Sequence, residues 1–365
     1  MKQVRIMNQP ADFEKLGLNP DKVELWEDGR RDNNRAGAFE WWYFDAILDD
    51  GSKLVIDFGA KLQNRTHEEG GSPFALIRIN RPDGTSYEKF YCSSEEESSF
   101  AKDSCDVHVG ENYFVGDFKE YKIKVVPAEG VGADITLTSQ ASPWRAGTGY
   151  FTFGEDEQSY FTWLCAVPRG RVEGTITIDG ETIPVTGAGY HDHQWGNIHH
   201  MFIWNHWLWG RQSTDDYTIL IFDFMTRKEY GHKRFPLCFV QDRSGKLLFS
   251  NFEGAKVEVP EEYTDDVSGK DYPVTSIYTM ENNGSEMIYT ITEKETLEAR
   301  FEYAAAPEPA RKQMDAMGVR TSYARYLADG EFTLNTKDGT YHDKGDLIYE
   351  FAYLGTTYKV GDQAQ

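Results

Sequence analysis

Asp-Gly dipeptides cut this chain into lengths that suit little but β-hairpins. "EWWYFDAILDDGSKLVIDFGA" (40–60) turns at Asp50-Gly51, "FALIRINRPDGTSYEKFYC" at Asp83-Gly84 and "GTITIDGETIPVTG" at Asp179-Gly180. Such a dipeptide between alternating apolar residues favours a two-residue turn whose twist matches the flanking strands. "YKIKVVPAEGVGADITLTSQ" reads as a fourth hairpin with a longer loop, and the pattern restarts after residue 200 with "DYTILIFDFMT" and three further strand-rich segments. Helical periodicity is confined to "PADFEKLGL" near the start and "PEPARKQMDAMG" at 307–318. The class is therefore all-β, with two antiparallel β-barrels in tandem and minor helices. Each half opens on a Trp-rich strand (Trp41-Trp42; Trp204, Trp207, Trp209). We place an N-terminal extension at residues 1–30, one barrel at 31–200 and the other at 201–365. A single large barrel or a long sandwich is the rival arrangement.

The charge narrows the partners. A chain of 365 residues with net charge −22 lacks the clustered Lys and Arg that phosphate backbones and anionic membranes require. No nucleic acid and no membrane insertion are expected. Cys92, Cys105, Cys165 and Cys238 show neither CxxC nor CxxH spacing, so buried thiols are expected in place of a disulfide framework or a zinc cluster. "MKQVRIMNQPADFEK" has no apolar core of a signal peptide, which predicts a cytoplasmic location.

Five histidines and four tryptophans crowd into "GAGYHDHQWGNIHHMFIWNHWLWG", residues 187–210, of nine each in the chain. Three uses are open. A metal would need three or four converging ligands, but strand alternation turns His199 and His200 apart, and no HExxH pattern appears; no metal is expected. For acid–base work, Asp192 and His193 point oppositely on an extended backbone unless Gly189 and Gly196 let the chain turn. As a pocket, "FIWNHWLWGRQ" sets Trp204 and His206 on one face and Trp207 and Trp209 on the other. A buried indole needs a partner for its N–H, so one aromatic face is expected to line a cavity.

Two other positions carry carboxylates among apolar residues. Asp223 in "TILIFDFMT" shares a face with Ile219 and Ile221. Facing inward, it would be held protonated by desolvation and serve as a general acid; facing outward, it is a solvated strand end. On the first strand Glu40, Trp42 and Phe44 lie opposite Trp41, Tyr43 and Asp45.

Together "EWWYFDA" (40–46), "VTGAGYHDHQWGN" (185–197) and "GDLIYEF" (345–351) resemble the hydroxyneurosporene synthase or carotenoid 1,2-hydratase-like family of two lipocalin-like barrels. Kievitone hydratase and the fungal Diels–Alderases of lipocalin type belong to the same wider group. The resemblance implies a functional His-x-Trp pair at His193 and Trp195 and a proton-donating carboxylate at Asp223. In those hydratases a tyrosine stands two residues before that acid. Here the place is Ile221, which either removes that chemistry or hands the tyrosine's role to another residue.

The expectation is an enzyme without a cofactor, adding water to or removing it from a C=C bond of a hydrophobic, isoprenoid- or polyketide-like molecule. An isomerase or cyclase using the same pocket, or a non-catalytic carrier, are the alternatives. Asp223, His193 and Asp192 are the expected catalytic groups. Trp195, Tyr190, Trp42, Glu40, Trp204, Trp207 and His206 are expected around the substrate.

Overall fold

In a computed structural model, residues 1–356 are described. They form two compact units, residues 5–199 and residues 200–356 together with residues 1–4. Each unit is a curled antiparallel sheet, so the all-β class with minor helices holds.

The expected hairpins form where the Asp-Gly pairs stand. Phe39–Leu48 pairs with Lys53–Gly59 around Gly51 (φ 83°), and Phe74–Asn80 with Ser86–Cys92 around Gly84 (φ 87°). Asp179 and Gly180 both take positive φ, the mirror-image turn joining Ser159–Ile178 to Glu181–Gly196. The hairpin Glu120–Ala128/Val131–Ser139 needs no longer loop, because Glu129 (φ 49°) and Gly130 (φ 80°) close it equally tightly. The helices are Pro10–Leu16 and Glu308–Met317, ended by Gly17 and Gly318 in the left-handed conformation, with a further single turn at Glu302–Ala305.

Both sheets are ordered in the same way. Phe39–Leu48 lies beside Glu181–Gly196, and Trp204–Ser213 beside Gly339–Tyr353, so the first long strand of each unit pairs with its last. The curl gives each unit its own apolar interior. Trp42, Phe44, Ile56, Phe114, Ile123 and Val172 fill the first, and Ile219, Ile221, Val240, Met287, Phe332 and Phe351 the second.

Residues 5–30 belong to the first unit. Val4–Ile6 pairs with the strand Tyr150–Phe153. Arg145 then ties Leu25–Asp28 down through Glu27 (2.7 Å) and the Asn19 carbonyl (2.7 Å). That anchoring brings Asp28 into the first unit's interior.

Candidate active site

The strand Glu181–Gly196 runs extended past Gly189, which is demanded by packing and not by a turn. A Cβ there would fall 2.6 Å from Val172 Cγ2. His191, His193 and Trp195 therefore face the interior, and Tyr190, Asp192 and Gln194 face outward. Asp192 and His193 do not meet.

On the inner face the register sets His193 opposite Trp42 and Trp195 opposite Glu40. His193 Nε2 lies 3.0 Å from Glu40 Oε1. The Glu40 carboxyl also accepts the backbone N–H groups of Arg31 (2.5 Å) and Asp32 (3.0 Å). Burial pushes Glu40 up to about 8, against the pull of those donors, and pushes His193 down to about 3. The pair is thus neutral near pH 7. Beside it, Asp28 Oδ2 accepts from Tyr121 Oη–H (2.6 Å) and lies 3.2 Å from His191 Nε2. His191 Nδ1 faces the Tyr43 carbonyl at 2.8 Å, which can only accept, so Nδ1 carries a hydrogen.

This cluster is sealed. Trp42 stacks on the His193 ring at 4.4 Å and Trp195 lies against it at 4.6 Å. His191, His193, Asp28 and Trp42 have no exposed surface at all. Of the residues expected around the substrate, Trp42, Trp195 and Glu40 pack directly on His193. Asp28, Cys105 and His191 each offer a ligand atom within 4.8 Å of the others, the grouping a metal ion could use. In this structure Cys105 Sγ contacts the Phe114 carbonyl, and burial raises its thiol pKa.

The Glu40 shift has a measurable consequence. Its carboxyl binds a proton more tightly folded than unfolded, so between about pH 4.5 and 8 the folded state holds the extra proton. Stability then falls as pH rises through that range. His193 acts oppositely, costing stability as pH falls from 6.5 toward 3, so the two offset each other below about 6.5. Glu40→Gln is expected to remove the alkaline loss, on the order of 2 kcal/mol between pH 6.5 and 8. Urea unfolding at both pH values measures it; an unchanged pH slope in the variant refutes it.

On the outer face Asp192 accepts from Tyr190 Oη–H (2.9 Å), Trp163 Nε1–H (3.2 Å) and Gln194 Nε2–H (3.2 Å). Burial raises its carboxyl to about 6, with the three donors holding it back. Two strands away, beyond Tyr43, stands Asp57. Burial first, then the charges of Asp192 and Asp45, raise it to about 7. Tyr43 Oη–H in turn donates to Asp45 (3.1 Å). A carboxyl that titrates close to neutrality amid tyrosine and indole is the composition an acid–base group needs.

In the second unit Asp223 does face inward beside Ile219 and Ile221, but it is not a lone acid. Arg234 reaches it with Nε (3.0 Å) and Nη2 (2.5 Å), and Tyr278 Oη–H donates at 3.0 Å. With donors on both oxygens it is a charge-paired acceptor, which corrects the expected proton donor. Tyr278 puts a phenol on this carboxylate although Ile221 holds the place before it. Trp204 stacks on Phe224 at 4.4 Å, and Trp207 donates to Glu350 at 3.1 Å. His206 Nδ1–H donates to Asn205 Oδ1 at 2.8 Å, and the ring lies between Phe351 and Tyr353. Within the first unit the expected residues thus divide between an inner face (Glu40, Trp42, His193, Trp195) and an outer face (Tyr190, Asp192).

Sequence reasoning passed over Asp28, Tyr121, Asp57, Arg234 and Tyr278. Asp57 alone left a signal, as the charged member of the apolar run "LVIDFG".

Two all-β units with buried acids and imidazoles define a tandem lipocalin-type protein. The chain belongs to the AttH-like family, whose pattern matches residues 31–306. The quinolone epoxide rearrangement protein asqO of Emericella nidulans is 27% identical over 213 residues, 53% of this chain and 57% of that protein. The ceramide-binding protein svf1 of Schizosaccharomyces pombe is 29% identical over 141 residues, 37% of this chain and 35% of that one. The chain thus spans little more than half the length of the first of these curated relatives and about a third of the second. Among solved structures, CghA with Sch210972 superposes with TM-score 0.58 at 13% identity, covering 93% of this chain and 98% of that one. An AttH from Nitrosomonas europaea gives 0.56 at 17% (90% and 97%). Kievitone hydratase from Nectria haematococca gives 0.51 at 14% (92% and 94%). At these identities the structures establish the shared fold. No helix among the described residues is long and apolar enough to cross a membrane.

Proposed function

We propose that the chain is an enzyme that moves a proton on a hydrophobic small molecule, with Asp192 as the acid–base group. One observation carries the reading: a buried carboxyl, raised to about 6, held by a phenol, an indole and an amide on one face of the sheet. The proton donor assigned to Asp223 from resemblance thus moves to Asp192, because Arg234 occupies Asp223. Hydration or dehydration at a C=C bond is the first reaction: the acid protonates the alkene carbon, and water captures the cation. An indole face near such a cation contributes ~2 kcal/mol when desolvated.

The similarity to a protein named for epoxide rearrangement favours a second reaction at the same group. There the acid protonates the departing oxygen and no water is gained. Mass balance separates them. Purified protein is incubated with a lipophilic extract of a strain lacking its gene, and products are followed by mass spectrometry. Hydration or dehydration changes a substrate by the mass of one water, and rearrangement changes retention with no change of mass. A ligand retained without conversion, as befits a carrier, overturns the enzymatic reading.

A further inference from the structure

The first unit carries an open concavity that the proton chemistry does not use. It measures about 580 Å³, within the size range of small-molecule sites. Trp26, Arg30, Arg31, Arg35, Lys102 and Tyr160 line it, with Asp32 and Asp103. Four cations around one cleft stand out on a chain of net charge −22.

Their partners are what matter. Arg30, Arg31 and Lys102 form no ion pair with any carboxylate among the described residues, although other arginines such as Arg5, Arg78 and Arg145 do. Arg31 Nε donates to the Gly29 carbonyl (2.8 Å) and its Nη2 to the Lys102 carbonyl; Arg30 Nε donates to the Asp32 carbonyl (2.9 Å). Backbone carbonyls orient these guanidinium groups without neutralising them. Rings fix their planes: Arg31 lies over Trp26 at 4.8 Å, Arg30 over Phe100 at 5.2 Å and Arg35 over Tyr160 at 6.0 Å. Of the two lining acids, Asp32 accepts from Tyr160 Oη–H at 3.0 Å and stands 4.0 Å from Arg35. Gly29 lets its segment lie close against the one that carries Lys102, because a Cβ there would sit 2.6 Å from the Lys102 backbone.

We propose that this cleft binds a small organic anion, its carboxylate or phosphate between Arg30, Arg31 and Lys102 and its flat apolar part against Trp26 and Tyr160. Oriented guanidinium groups suit the two oxygens of either anion, and an aromatic floor rewards a planar body. The site is independent of the chemistry at Asp192.

The test uses the full chain and three probes: 2-naphthoate, its uncharged amide 2-naphthamide, and inorganic phosphate. Calorimetry is expected to show 2-naphthoate binding at least about tenfold more tightly than the amide, weakening with added salt. Phosphate should compete. Tighter binding of phosphate than of 2-naphthoate would assign a phosphorylated ligand, and the reverse a carboxylate. Arg30→Gln and Arg31→Gln should each weaken 2-naphthoate by about tenfold. Lys102→Gln, at an exposed position, should weaken it severalfold even if an arginine variant fails to fold. Equal affinity for acid and amide, no binding of either anion, or wild-type affinity in a folded Lys102→Gln or arginine variant overturns the proposal.

Discussion

Asp192→Asn is expected to lower turnover by about 10²- to 10⁴-fold, the usual contribution of a positioned proton donor or acceptor. The amide keeps the side chain's volume and leaves an oxygen to accept from Tyr190 and Trp163, so the fold and ligand binding should survive. What is lost is the titrating proton. If Asp192 acts as the acid, kcat/KM of the wild type should be highest below about pH 6 and decline on the alkaline side, because the protonated form is consumed as pH rises through the value to which burial has pushed it. The Tyr190 phenol pulls that value down. Tyr190→Phe should therefore move the alkaline limb to higher pH while the reaction continues, a displacement that a purely structural tyrosine would not produce. Conversion by Asp192→Asn at near wild-type rate would remove Asp192 from the chemistry.

The reasons for this assignment show what a sequence can and cannot display. Asp-Gly turns and period-two alternation are local properties, and they located the hairpins and the opposite directions of Asp192 and His193. They also set Glu40 and Trp42 on one face, which the structure uses to bury both against His193 and Trp195. Pairing between strands is not local. Asp28 meets His191 across 163 positions, and Tyr278 meets Asp223 across 55. Neither contact follows from the composition of either segment. Arg234 lies only 11 positions beyond Asp223. Even so, knowing that it faces inward requires the register that pairs Asp223 with Pro236. Such registers decide whether a buried carboxyl is a proton donor or half of an ion pair. The resemblance had assigned the acid to Asp223; one guanidinium on the neighbouring strand reverses that assignment.

Asp28→Ala is expected to cost about 3–5 kcal/mol of stability, the largest loss of any single change discussed. The carboxylate removed is fully buried and accepts the Tyr121 phenol at 2.6 Å, with His191 Nε2 at 3.2 Å. Alanine leaves the Tyr121 O–H without an acceptor and His191 Nε2 without this contact in an apolar interior, and uncompensated buried polar groups carry penalties of that size. The methyl group also leaves the carboxyl volume unfilled beside Phe114, which lies 4.6 Å from the His191 ring, so a cavity term adds to the loss. Chemical denaturation of the variant should show a lower midpoint. Tyr121→Phe made in the same background should recover part of the deficit, because it removes one of the two stranded groups. A double variant no more stable than Asp28→Ala alone would mean that the phenol finds another partner and that the inner cluster does not hold the strand Glu181–Gly196 in the way its hydrogen bonds indicate. The sealed inner face and the titrating outer face share that strand, so loosening the first should also disturb Asp192, and activity should fall in step with stability across a series of Asp28 replacements.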